Sequence, residues 1–225
     1  MDLLDWARGP LLYGALTIFF GAVGWRLFAL HRLPAPATAA PARKAFGASS
    51  ALRVALARTW PRDGLPQSAT LATFNPYVFH IGLALVFFGY APHIAFIRRL
   101  TGLGWPALPD PVMYLAAAAT IISLLLALMF RLTDPVLRKI SRADDMVTWV
   151  VTMLPLVTGM AVVSVPSSML PDASHTIYRN PVAIHLLSLE LLLVWFPFGK
   201  LMHAFLVWPG RMRMATFFAR RGVPP

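Results

Sequence analysis

The chain has 225 residues, of which 58% are hydrophobic and only 13% charged. Soluble domains are about 25% charged, so this composition, with a mean hydropathy of +0.65, excludes an ordinary water-soluble fold and points to an all-α, polytopic membrane protein. Cysteine is absent and the formal net charge is +11: the first excludes disulfides and thiolate-held clusters, and the second, in a membrane chain, marks cytoplasmic loops rather than a nucleic-acid surface.

The N-terminal MDLLDWARGPLLYGALTIFFGAVGW carries two aspartates, no basic n-region and no small-residue cleavage site. It therefore reads as a retained first helix rather than a signal peptide. Its span covers residues 10–30, and Gly14, Gly21 and Gly24 offer a face for a closely packed neighbour. Residues 31–75 are rich in Pro and Ala at first, then basic and amphipathic. They predict a loop lying along the cytoplasmic surface with Phe46, Leu52, Leu56 and Trp60 on one side, facing lipid head groups or a partner subunit.

Asn75-Pro76, Asp110-Pro111 and Asn180-Pro181 each read as a helix start, with a capping side chain followed by proline in the first turn. The remaining spans are expected at 76–97, 112–130, 146–165 with a kink at Pro155, and 182–208, making five in one membrane domain over residues 1–225. Loops 31–75 and 131–145 and the tail after Trp208 hold most of the basic residues, among them Arg43, Lys44, Arg53, Arg138, Lys139 and Arg211. The opposite side has Arg8, Arg98, Arg99 and Arg179. The positive-inside rule then places the N-terminus outside and the C-terminus in the cytoplasm.

The fifth span carries His185 and His203, 18 residues apart. In an unbroken helix that is five turns, so both imidazoles leave one face about 27 Å apart. Span two runs the other way, with His80 near its cytoplasmic start and His93 near its outer end. His80 and His203 thus share one depth, and His93 and His185 another. Polar side chains inside hydrocarbon are expensive and signal function. Two matched pairs suit the axial ligation of two stacked haems b. A haem-free anchor or transporter subunit, whose histidines satisfy one another or bind a metal, is the competing reading.

The stretches NPYVFHIGLALVFFG around His80 and HLLSLELLLVWFPFGKLMHAF from His185 through His203 resemble the gamma, or cytochrome b, subunit of respiratory nitrate reductase and its relatives. The resemblance implies a five-span protein of the inner membrane with two haems b. It further implies a subunit of a quinol-linked oxidoreductase that exchanges electrons with an iron-sulfur partner on the cytoplasmic side. Matching position by position, His80 and His203 correspond to the ligands of the cytoplasm-proximal haem, and His185 to one ligand of the distal haem. The family pattern expects a histidine ten residues after the first; here Tyr90 stands there and His93 follows one turn later. Pro92 can bend the helix and swing His93 onto the distal haem, with Tyr90 beside the haem edge or the quinone. The departure suggests a divergent relative, such as the membrane cytochromes paired with heterodisulfide-reductase-like or sulfur-oxidising complexes. With no cysteine here, the clusters or flavin belong to another polypeptide. Quinol oxidation and quinone reduction both remain open.

Other residues have two readings each. Lys200, one turn before His203, neutralises a haem propionate or snorkels. Pro197 removes a helical hydrogen bond and sets the approach of His203. Glu190 faces another helix or a second membrane subunit, or accepts a quinol proton. Arg98, with Arg99, holds a propionate or the quinone, or anchors the loop end. His31 and His175 lie at loop ends and read as exposed bystanders, with His175, on the outer side, alternatively placed to take a quinol proton.

Overall fold

The computed structural model describes residues 2–33, 48–57, 67–163 and 176–220. In chain order these form α1 (Leu3–Arg8), α2 (Pro10–Arg32), α3 (Ala48–Ala57), α4 (Gln67–Gly89), α5 (Ala91–Thr101), α6 (Asp110–Thr133), α7 (Pro135–Ile140), α8 (Ala143–Val163), α9 (Thr176–Trp195) and α10 (His203–Arg220). A 3-10 turn, Lys200–Met202, precedes α10, and no strand occurs among the described residues. Segments Leu3–Arg32, Thr70–Gly89, Asp110–Thr133 and Ala143–Val162 are long and apolar enough to cross a bilayer, and the bent pair Asn180–Trp195 with Lys200–Phe218 is a fifth candidate. At 1.5 Å per residue the 24 residues of α6 reach about 36 Å, more than the roughly 30 Å hydrocarbon core. The chain is an all-helical, multi-pass membrane protein with four or five candidate spans among the described residues.

Local chemistry sets several helix ends. Asp2 Oδ1 accepts from Asp5 N at 3.0 Å while Asp5 Oδ2 accepts from Asp2 N at 3.1 Å, a reciprocal cap that opens α1. Asp134 ends α6 and starts α7, its Oδ1 accepting from Val136 N and Leu137 N at 2.8 Å each. Gly102, at φ +79°, closes α5 by donating its N–H to Arg98 O at 2.8 Å.

The long helices pack in the order α2, α9, α8, α6, α4, with α1 also against α9 and α3 against α10. Leu4 and Ala7 meet Ala183 in one small core, flanked by Val182, Leu186 and Leu187. The α4–α6 contact is polar and close. Asn75 Nδ2 donates to Ser123 O at 2.9 Å, and the Ser123 hydroxyl reaches Asn75 O and Oδ1 at 2.9 and 2.8 Å. Gly82 is buried here, and a Cβ on it would overlap the Thr120 hydroxyl. Gly82→Ala should therefore lower stability by about 1–3 kcal/mol through overpacking, read as a lower thermal midpoint in detergent. Thr120→Ala in the same chain should restore most of it; no recovery in the double variant would show that the contact is not the cause.

Several expectations are corrected. Asn75-Pro76 and Asn180-Pro181 do not start helices: α4 begins at Gln67 and α9 at Thr176, and both prolines lie inside. Asn75 directs its amide across to Ser123 instead of capping, so its polar group is satisfied without a helix end. Asp110-Pro111 does lie in the first turn of α6, but Pro109 holds the cap position and no side chain caps the helix. Gly14, Gly21 and Gly24 have nothing within 4 Å of an added Cβ, so the close helix approach they suggested falls to Gly82. Among the described side chains of α3, Ala55 is buried while Leu52 and Leu56 are exposed, in keeping with an outward apolar side; Phe46 and Trp60 lie outside the described residues. Span two is interrupted at Tyr90, between α4 and α5. Span five is not one helix: it bends by 75° between Trp195 and Lys200, so the five-turn register linking His185 to His203 does not hold.

Candidate functional site

Neither break is featureless. Pro92 has no N–H to offer and α4 stops at Gly89, so carbonyls at the end of α4 lose their helical donors. Each finds another. Trp105 Nε1 donates to Phe88 O at 2.6 Å, Leu108 N to Gly89 O at 2.9 Å, and His93 Nδ1 to Val86 O at 3.1 Å. This bond turns the His93 ring back along α4. It comes to lie opposite His185, with ring centres 6.2 Å apart and planes at 16°. Tyr90 does not face His185. Its ring is buried against Met113, Ala116 and Val86, and its edge meets His93 at 5.3 Å.

On the far side of the break in span five, the 3-10 turn delivers His203 against His80, with ring centres 5.9 Å apart and planes at 89°. Thus the structure brings His80 to His203 and His93 to His185. His80 is on α4, His93 on α5, His185 on α9 and His203 at the start of α10; α4 packs mainly on α6, α9 on α8 and α2, and α10 on α3.

A metal held by an imidazole nitrogen at about 2.0–2.1 Å lies about 3.2 Å from the ring centre, so two rings on opposite sides of it have centres about 6.4 Å apart. Both observed separations fall close to that value. Ordinary ring pairs span about 4.5–7 Å, and so the hydrogen bonds carry more information than the distance. His80 Nδ1 lies 2.6 Å from Pro76 O, His93 Nδ1 3.1 Å from Val86 O, and His203 Nδ1 2.9 Å from Lys200 O. A carbonyl only accepts, which puts the proton on Nδ1 and the lone pair on Nε2. His185 Nδ1 is 3.1 Å from the Thr158 hydroxyl, which itself donates to Leu154 O at 2.7 Å and so has a lone pair for His185. Ser188 steadies the same corner, donating to His185 O at 2.6 Å and standing 3.0 Å from Thr158.

Three imidazoles are therefore anchored through Nδ1 to a carbonyl and leave the Nε2 lone pair free, and His185 meets the Thr158 hydroxyl through Nδ1, the arrangement that orients histidine ligands of metals. No group of three or more His, Asp or Glu able to hold a metal ion occurs among the described residues. The histidines come in twos, a donor set that would suit a metal whose other ligands belong to a macrocycle, as in haem.

The remaining candidates fall around these pairs. Arg98 lines an open cavity of about 580 Å³ with Ala91, Ile94, Ala95 and Trp105, on the helix that carries His93; Arg99 is exposed. Lys200 has a protein partner: its ammonium pairs with Asp145, and Asp144 is 3.8 Å away. Pro197 is fully buried at the break. Glu190 is 6% exposed, and its Oε1 has no hydrogen-bond partner among the described residues. His31 is exposed at the end of α2, and His175 lies outside the described residues. Sequence reasoning missed Thr158 and Ser188, the anchors of His185, and Arg26 and Asp145, which hold the break. Arg26 was readable as a charge inside a span; nothing local marked the others.

No family model matches the chain, and no solved structure matches it. A protein of Nitratidesulfovibrio vulgaris (strain Hildenborough), described only as "Protein", is 28% identical over 227 residues, which cover 95% of this chain and 93% of its own length. The similarity extends over the whole run of helices and not over the histidine segments alone.

Proposed function

We propose that the chain is a dihaem cytochrome b, the membrane subunit of a respiratory complex that carries electrons between the quinone pool and a cytoplasmic redox partner. The observation that supports it best is the set of four histidines, each tethered through Nδ1 and paired with a second histidine at a ring separation of 5.9 or 6.2 Å. His80 and His203 would hold one haem, and His93 and His185 the other. Bound haem b supplies reversible one-electron exchange. The chain's own work is to fix four imidazole planes, to keep Nε2 available, and to surround the pairs with apolar helices that keep water away.

On the positive-inside rule, the distribution of basic residues favours an N-terminus outside and a C-terminus in the cytoplasm of an inner membrane. His80 and His203 would then lie toward the cytoplasmic partner, which would carry the iron-sulfur clusters for which a chain without cysteine has no thiolates. His93 and His185 lie toward the outside. The cavity beside Arg98 adjoins the His93 helix there, and it suits a quinone head group whose carbonyl accepts from the guanidinium, with Tyr90 close by.

A haem-free anchor is the rival reading, since an edge-on ring contact at 5.9 Å is ordinary for packed side chains. Pyridine haemochrome analysis of the protein purified from its own membranes separates the two. Two haems b per chain are expected. Protein without haem b would end the cytochrome reading.

A further inference from the structure

The sharp turn in span five is held from outside. At the end of α9 the ladder tightens and stops: Trp195 O accepts both from Gly199 N, four residues on, at 3.0 Å and from Phe198 N, three residues on, at 3.1 Å. Two other helices grip this segment directly, and a third braces one of them. From α2 the Arg26 guanidinium donates to Pro197 O. From α8 the Thr148 hydroxyl accepts from Trp195 Nε1 at 3.0 Å, and the Asp145 carboxylate pairs with Lys200. From α6 Arg131 reaches that same carboxylate at 3.1 Å, while Arg142 N donates to it at 2.9 Å. The Asp145 side chain is 3% exposed, so its charge is kept in a buried site by these partners together. Gly199 is required for the fit, because a Cβ there would run into the Trp195 indole.

His203 begins three residues beyond Lys200 and takes its orientation from it, through the 2.9 Å bond from Nδ1 to Lys200 O. A mechanical chain therefore runs from Arg131 and Asp145 to Lys200, and from Lys200 to the His203 ring. The other pair is oriented by different groups, Thr158 and Ser188 for His185 and Val86 O for His93.

We propose that Arg26 and Asp145 are positioning residues that set the His203 imidazole at right angles to His80, so that this centre alone depends on the clamp around the break. The inference rests on the dihaem reading. It also gives Lys200 a structural duty in place of a propionate contact.

Ferric low-spin haems report the angle between their axial imidazoles: perpendicular planes give a signal with one large g-value, and near-parallel planes give a rhombic signal. The planes stand at 89° for His80 and His203 and at 16° for His93 and His185, which predicts one signal of each kind from the wild-type complex. Arg26→Gln and Asp145→Asn should shift or broaden the large-g signal and move the midpoint potential of one haem. The rhombic signal and the other potential should stay unchanged, and Arg26→Lys should restore the first signal in part. If a variant does not accumulate, Thr148→Val, which removes the acceptor for Trp195 at nearly equal volume, carries the same expectation. Two wild-type signals that neither variant moves, or that move together, would overturn the clamp while leaving the dihaem reading intact. Absence of both signals from the wild type would remove both.

Discussion

Replacing His203 by alanine should halve the haem content, from two per chain to one, while the protein still inserts in the membrane. The reason lies in how few ligands each site has. A macrocycle bound through two axial nitrogens loses half of its protein-iron bonds when one imidazole goes, and His203 is held opposite His80 by a single main-chain bond at Lys200. His80→Ala removes the other half of the same pair, so it should give the same ratio and the same missing absorption component. The helices themselves do not depend on these rings, since both are exposed rather than packed in a core. Insertion and helical content should therefore persist. Haem-to-protein ratio by pyridine haemochrome, with circular dichroism on the same sample, makes the comparison. Both variants retaining two haems would exclude this pair as a ligand set.

The second large effect separates His93 from Tyr90. His93→Ala should abolish the rhombic low-spin signal and one haem, because it removes the imidazole that faces His185 and leaves the Val86 carbonyl without its donor. Tyr90→Phe should keep both haems. The tyrosine ring serves the core beside Met113 and Ala116 and meets His93 only by its edge, so losing the hydroxyl leaves the ligand in place. A phenolate would also suit a high-spin catalytic haem better than an electron-transfer centre. Paramagnetic resonance of the two variants decides the matter: loss of the rhombic signal in the tyrosine variant alone would reassign the ligand to Tyr90.

The displaced histidine has a physical origin that the sequence contains only in part. Pro92 could be read as a bend, and a bend was expected. Its consequence depends on which orphaned carbonyl each nearby donor takes. Trp105 and Leu108, far along the chain, satisfy Phe88 and Gly89, which leaves Val86 O to His93. A helical wheel drawn through the interruption cannot supply that outcome.

By itself the sequence determined the membrane class, the apolar segments and the choice of His80, His93, His185 and His203, because composition and hydrophobic run length are properties of the chain alone. It also marked Pro92 and Pro197 as interruptions, since a missing N–H is intrinsic to proline. Only the tertiary structure decided where the rings stand. The five-turn register between His185 and His203 assumed one straight helix, whereas the 75° turn is stabilised by Arg26, Thr148 and Asp145 from helices distant in sequence. The Asn75 side chain likewise met Ser123 instead of capping a helix. Caps and wheels use neighbours within a turn or two; a break in a membrane helix persists when partners across the bundle satisfy its freed polar groups, and those partners are chosen by packing.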